Sequence, residues 1–232
     1  MTALSRDWKS AAMKKEQPYN PLDNLNLANS VADAMLAKPV GPLPPEQFEG
    51  AGIYAIYYTG KFKPYKKISK QNIEDEFSAP IYVGKAIPAG GRKGGNAGKG
   101  AGFVLFNRLS EHAESIRQSK NLKIEDFKCR FLITEEVWIP LGESLLIQMF
   151  RPLWNLSLDG FGNHDPGAGR RGQKKSPWDV IHPGRPWAEK LTGVQRGENE
   201  ILADIKRFLD QPAPPEATIK KPRRKIKLDS IE

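Results

Sequence analysis

The residue types in this chain that could do chemistry are two tyrosines, Tyr54 and Tyr82, an arginine and a histidine four apart, Arg108 and His112, and a glutamate, Glu143. An imidazole exchanges protons near neutrality, a phenol can hold or pass one, a guanidinium fork fits two oxygens of an oxyanion, and a carboxylate can hold a hard cation. Each residue also has an ordinary account. Strand tyrosines are commonly packing residues with a wet hydroxyl. One Arg and one His can share a solvated helix flank, and a glutamate early in a helix can simply complement its dipole, worth up to about 1 kcal/mol.

The elements that must position them read clearly. Gly52 to Tyr58 and Pro80 to Lys85 are short apolar, β-branched or aromatic runs, the pattern of buried strands. Alternation puts Tyr54 with Ile56 and Tyr58, opposite Ile53, Ala55 and Tyr57. If the two strands are neighbours, Tyr54 and Tyr82 meet at one sheet end. The polar, Lys-rich segment from Thr59 to Ala79, with Pro64 inside it, predicts a long hairpin loop. Phe103 to Gln118 predicts an amphipathic helix with Leu105, Leu109 and Ile116 inward, and with Arg108 and His112 stacked on one flank. Lys128 to Thr134 is a third strand. The next helix opens at Pro140, buries Leu141, Leu145, Leu146 and Met149, carries Glu143 in its first turn, and ends before Pro152. Leu22 to Leu36 and Glu198 to Leu209 predict two more helices, and Val40 to Gly50 an extended connector.

A net charge of +9, with clustered Lys and Arg, points to a polyanionic partner, nucleic acid before an acidic membrane. The single Cys129 excludes an internal disulfide and a Cys-based zinc site, and its strand neighbours make it a core filler. His112, His164 and His182 lack tight ligand spacing, which argues against zinc. The N-terminus has no apolar signal core and no run reaches membrane-spanning length, so a soluble, cytoplasmic protein without membrane contact is expected. Residues 90 to 102 hold seven glycines with Arg92, Lys93 and Lys99 among them. The Walker pattern fails there, because Lys93 stands where its first glycine would be and Gly100 follows Lys99. A basic loop moulding onto a nucleic-acid backbone is one reading, and a plain disordered loop is the other.

Taken together, Gly52-Ile53-Tyr54, Tyr82-Val83-Gly84, Arg108-x-x-x-His112, Glu143 and the trailing Pro152-x-x-Asn155 resemble the GIY-YIG nuclease layout over residues 52 to 155. A wider likeness from Pro44 to about Gly193 includes Phe48 to Gly52, Tyr82 to Ala86, Asp159 to His164 and Trp178 to Arg185. It is similar to the Type II restriction endonucleases of that superfamily that cut CCGCGG. The resemblance implies an α/β (α+β) fold with a small antiparallel sheet of three main strands flanked by helices. It implies a catalytic core over 50–157 and a recognition and packing extension over 158–212; outside the likeness, composition and pattern predict an N-terminal arm and helix over 1–49 for DNA or dimer contacts and a basic disordered tail over 213–232.

The chemistry so implied is hydrolysis of a DNA phosphodiester. Glu143 would hold Mg²⁺ (Mn²⁺ can substitute), which needs few protein ligands. Arg108 would grip the scissile phosphate and Tyr82 another phosphate oxygen, while Tyr54 would activate water with His112 taking its proton, or His112 would act as the base itself. Lys85 would lower the tyrosine pKa, touch phosphate, or be a solvated lysine. Asn155 would orient Glu143 or another catalytic group. For an all-G·C site, Arg170 and Arg171 are the expected guanine readers, with Gln173 and His164 behind them and Lys174 a further DNA contact; nonspecific backbone contact is the alternative. A palindrome predicts a homodimer on double-stranded DNA, with the first helix at its interface. The competing readings are a homing, repair or branched-DNA nuclease of the same superfamily, and a nucleic-acid-binding protein without catalysis.

Overall fold

A computed structural model describes residues 20, 22–88 and 101–212 of the chain. Arg92, Lys93 and Lys99, the arm over residues 1–18 and the tail over residues 213–232 lie outside the described residues. Four strands, β1 (Gly41–Pro42), β2 (Gly52–Tyr58), β3 (Tyr82–Ala86) and β4 (Phe127–Ile133), form one antiparallel sheet in the order β1-β4-β2-β3. The helices among the described residues are α1 (Asn24–Leu36), α2 (Lys66–Glu74), α3 (Val104–Gln118), α4 (Ile139–Phe150), α5 (Leu153–Leu156), α6 (Pro177–Ile181) and α7 (Glu198–Asp210). None of them is long and apolar enough to cross a membrane.

The central strand β2 is buried along its whole length because both sheet faces are covered. On one face Tyr54, Ile56 and Tyr58 pack with Leu105, Leu109 and Ile116 of α3 and with Trp154, Trp178, Ile201 and Ile205. On the other, Ile53, Ala55 and Tyr57 meet Ala28, Ala32 and Met35 of α1 and Leu145, Leu146 and Met149 of α4. The mixed α/β architecture is therefore the expected one, with one strand more. The two residues of β1 extend the sheet by pairing Gly41 with Cys129 and Pro42 with Lys128. A Gly-Pro pair on an edge carries no apolar alternation, so nothing in its letters marks it as a strand. Cys129 is buried beneath it, and burial pushes its thiol up to about 12, which suits a packing residue.

Two segments depart from expectation. The stretch from Thr59 to Ala79 is no open loop: Pro64 sits in a 3₁₀ turn (Lys63–Tyr65) that runs into α2. Its anchors are buried polar or isolated groups, Tyr65, Ile68, Ser69 and Asn72, so it lacks an apolar stripe to read. The Asn72 side chain donates to the Tyr58 carbonyl at 2.9 Å and accepts from the Ala79 amide at 2.9 Å, which closes the segment onto β2. The helix α4 begins at Ile139, which puts Glu143 one turn inside it and leaves Leu141 38% exposed.

The inward face of α1 is used within the chain, while Asn29, Ser30, Asp33 and Ala34 point outward. The C-terminal third joins the main core through Leu158, Phe161, Trp178, Ile181, Ile201 and Ile205. Within this core the Tyr65 hydroxyl is hydrogen-bonded to His182 Nε2 at 2.6 Å, Trp154 Nε1 donates to the same hydroxyl at 3.1 Å, and His182 Nδ1 bonds Asn121 Oδ1 at 2.8 Å.

Candidate active site

Register assembles the first part of the site. Tyr54 pairs with Gly84 and Ile56 with Tyr82, so both phenols rise on the α3 side of the sheet with ring centroids 6.2 Å apart. A Cβ at position 84 would lie 2.3 Å from the Tyr54 hydroxyl, so the glycine two residues after Tyr82 is required by the phenol lying across it. From α3, His112 Nε2 meets the Tyr54 hydroxyl at 2.6 Å. Burial pushes the Tyr54 phenol well above its ordinary range, with Tyr82 adding to the rise and the Arg108 guanidinium opposing it. Burial also drives His112 well below the ordinary imidazole range, aided by the positive charges of Arg108 and Arg185. Both groups are thus neutral at rest. In the tautomer with a bare Nε2 the phenol donates to the imidazole, the polarity a proton relay needs.

Arg108 stands one turn before His112 and faces the same phenols. Its Nη1 donates to Glu111 Oε2 at 2.9 Å and to His164 Nε2 at 2.5 Å, and its Nη2 donates to the Gly162 carbonyl at 3.0 Å. The loop carrying Gly162 closes this side of the site. Phe161 stacks on His112 with centroids 4.5 Å apart and meets Tyr82 edge-on at 5.0 Å. At Gly162 there is no room to spare: a Cβ would lie 3.0 Å from the Tyr82 hydroxyl and 3.2 Å from Arg108 Nη2.

The carboxylate comes from the opposite sheet face. β3 is an edge strand, with Tyr82 and Gly84 toward α3 and Lys85 toward α4. Lys85 Nζ pairs with Glu143 Oε2 at 2.5 Å, and both side chains keep a solvent-accessible fraction. The site wraps around this edge: the charge of Glu143 reaches both phenols and raises each. Asn155 is placed differently from expectation. Its Oδ1 accepts from the Val83 amide and its Nδ2 donates to the Val83 carbonyl, both at 2.8 Å, so it clamps the edge strand between Tyr82 and Gly84 and does not touch Glu143. An edge strand has free backbone groups on its outer side, and a side-chain amide matches them as a further strand would.

His164 belongs to the site through Arg108, although the sequence reading set it among base readers. Arg170, Arg171, Gln173 and Lys174 lie together on an exposed segment away from these contacts. That segment is held by its backbone, the Thr192 amide donating to the Arg171 carbonyl and the Gly193 amide to the Gln173 carbonyl. Phe161, Gly162 and Glu111 were assigned no role from sequence. Only the i, i+3 spacing of Glu111 from Arg108 is legible, since Phe161 and Gly162 approach from fifty residues away.

Among the described residues no three His, Cys, Asp or Glu side chains gather as a metal-binding group. Glu143 is the candidate ligand. It already holds a cationic group at one oxygen, it is open to water, and a lone carboxylate beside water fits a hydrated Mg²⁺ better than an ion that wants a full protein cage.

No curated protein matches the chain. The family model of the Eco29kI GIY-YIG domain matches residues 46–209, most of the chain and all of the elements that build the site. The chain belongs to this restriction-endonuclease family of GIY-YIG nucleases.

Proposed function

We propose that the chain is a magnesium-dependent, sequence-specific endonuclease that hydrolyses phosphodiesters of double-stranded DNA, with CCGCGG as its target palindrome. The observation that carries the reading is the Tyr54–His112 hydrogen bond, flanked by Arg108 on one side of the edge strand and Glu143 on the other. CCGCGG itself rests on the sequence likeness alone. An exposed Arg170–Arg171 pair on the recognition extension supports an all-G·C target, because arginine forks read guanine N7 and O6.

A metal held by Glu143 would neutralise charge on the phosphate and lower the pKa of a bound water. The remaining work falls to side chains. Arg108 exchanges its contacts to Gly162, Glu111 and His164 for two oxygens of the scissile phosphate. Tyr82 donates its hydroxyl to a third oxygen. Tyr54 takes the proton of the attacking water and hands its own to His112, which is fully buried and reaches the reacting centre through that hydroxyl. A phosphate on Arg108 cancels the positive charge that depresses His112, so the imidazole becomes a better base when DNA is bound. Lys85 holds Glu143, and would be free for phosphate if a metal took that carboxylate. Asn155 keeps Tyr82 in place through Val83. A two-fold dimer would present one such centre to each strand of a palindrome.

The test is Glu143→Ala assayed with magnesium. Loss of cutting with sequence-specific binding retained is expected; cutting at the wild-type rate would remove Glu143 as the metal ligand.

A further inference from the structure

Arg185 and Asp179 have no part in the chemistry above, yet they are the most completely enclosed charges among the described residues. Arg185 is 1% exposed and Asp179 2%. Arg185 Nε donates to Asp179 Oδ1 at 2.6 Å and its Nη2 to Oδ2 at 2.7 Å, a two-pronged pair. The guanidinium carbon lies 4.6 Å from the centroid of Trp178 on one side and 4.6 Å from that of Trp187 on the other. Asp179 is held in turn by Ser176, whose hydroxyl donates to Oδ2 at 2.7 Å.

The remaining Arg185 donors all reach one loop. Nη2 donates to the Gly160 carbonyl at 2.8 Å, and Nη1 to the carbonyls of Phe161 at 3.1 Å and Asn163 at 3.2 Å. This loop puts the Phe161 ring on His112 and the Gly162 carbonyl on Arg108. A buried ion pair is a poor stabiliser compared with apolar packing, because both charges are stripped of water. Its retention here has another use: three backbone carbonyls of one loop, those of Gly160, Phe161 and Asn163, need a fixed, multi-donor cation, and no apolar side chain can hold them.

We propose that Asp179 and Arg185 are positioning residues of the nuclease centre, acting through the 160–163 loop to set Phe161 against His112 and Gly162 against Arg108. The proposal deepens the nuclease reading and rests on it for the effect on cutting, but its structural half stands apart from activity. When the loop loosens, water reaches His112 and relieves the burial that holds its imidazole below the ordinary range. The groups facing His112 are Tyr54 from β2, Tyr82 from β3, Arg108 from its own helix, and Phe161, His164 and Arg185 from the C-terminal third.

The experiment compares full-length wild type, Arg185→Lys and Asp179→Asn by thermal melting, single-turnover cleavage, DNA affinity and NMR titration of His112. The chain has three histidines, so single His→Gln variants assign the signals. A displaced positioning element costs on the order of 10²-fold in rate. The expected result is folded variants whose cleavage falls by that order, whose DNA affinity is little changed, and whose His112 titrates at a higher pH than in wild type. Folded variants with wild-type His112 titration overturn the proposal, whether or not the protein cuts DNA. Loss of the folded state in both variants overturns it too, since the pair would then serve the fold at large. If wild type cuts nothing but His112 shifts as stated, the positioning role stands and the nuclease reading fails.

Discussion

Two tyrosine–histidine pairs lie on the same side of the sheet, and their hydrogen bonds have the same length, 2.6 Å. In both, burial raises the phenol and lowers the imidazole, His182 to about 3. Yet only one pair is a candidate for catalysis. Around Tyr65–His182, Trp154 and Asn121 take up the remaining polar atoms, and the surrounding rings are Phe62, Trp154 and Trp178. Around Tyr54–His112 stand Arg108, Tyr82 and Glu143, and His112 and Arg108 line a cleft with the 161–165 loop. A short hydrogen bond between phenol and imidazole is therefore no sign of function by itself. Both imidazoles feel the Arg185 charge, so the difference lies in a second phenol, a second guanidinium and a carboxylate around Tyr54 and in the cleft beside His112 and Arg108.

Swapping one hydroxyl in each pair breaks this comparison most sharply. Tyr54→Phe is expected to lower single-turnover cleavage by roughly 10²–10⁴-fold, the range for a positioned acid–base group. Tyr65→Phe should leave cleavage unchanged and instead cost about 1–3 kcal/mol in a urea melt, because Trp154 and His182 lose a buried partner. Equal losses of rate would show that both pairs act through structure. Asn155→Ala frees the Val83 amide and carbonyl and is expected to cost about 1–2 kcal/mol, with a rate loss smaller than that of Tyr54→Phe.

The inert pair also has a pH signature. In the unfolded chain His182 binds a proton near its ordinary value, about 6.5, but in the folded protein only near about 3. Between those values the unfolded state binds more protons, so stability present at neutral pH is lost as pH falls, by up to about 1.4 kcal/mol per unit. Urea midpoints at neutral and mildly acid pH should lie closer together for His182→Gln than for wild type. The smallest effects are expected outside both pairs. Arg170→Ala and Arg171→Ala should relax cleavage at particular base positions if they read guanine, and lower it uniformly if they only anchor phosphate.

Much of the site was legible because its residues sit on strongly patterned elements. The alternation of β2 placed Tyr54 on the correct face, and the apolar stripe of α3 placed Arg108 and His112 together on its flank. What escaped was carried by groups without such a pattern. Asn155 binds the Val83 backbone, which no spacing encodes, so of the two expected partners it serves the strand of Tyr82 and not Glu143. The α2 segment is fixed by Asn72 and Tyr65, a polar anchor and a single aromatic. Arg185 and Asp179 lie in a segment read only for its likeness, and no spacing rule pairs an Asp with an Arg six residues on across a helix end. Glu143 lay on the correct helix but was given the wrong turn, since a proline marks the first turn without fixing which residue opens it.

The most direct test of the account is digestion of a supercoiled plasmid containing CCGCGG by the purified protein with magnesium, run beside folded Tyr54→Phe. The account predicts discrete linear fragments from the wild type and intact plasmid from the variant. Intact plasmid with folded wild type, in magnesium and in manganese, or fragments formed equally fast by Tyr54→Phe, would contradict it.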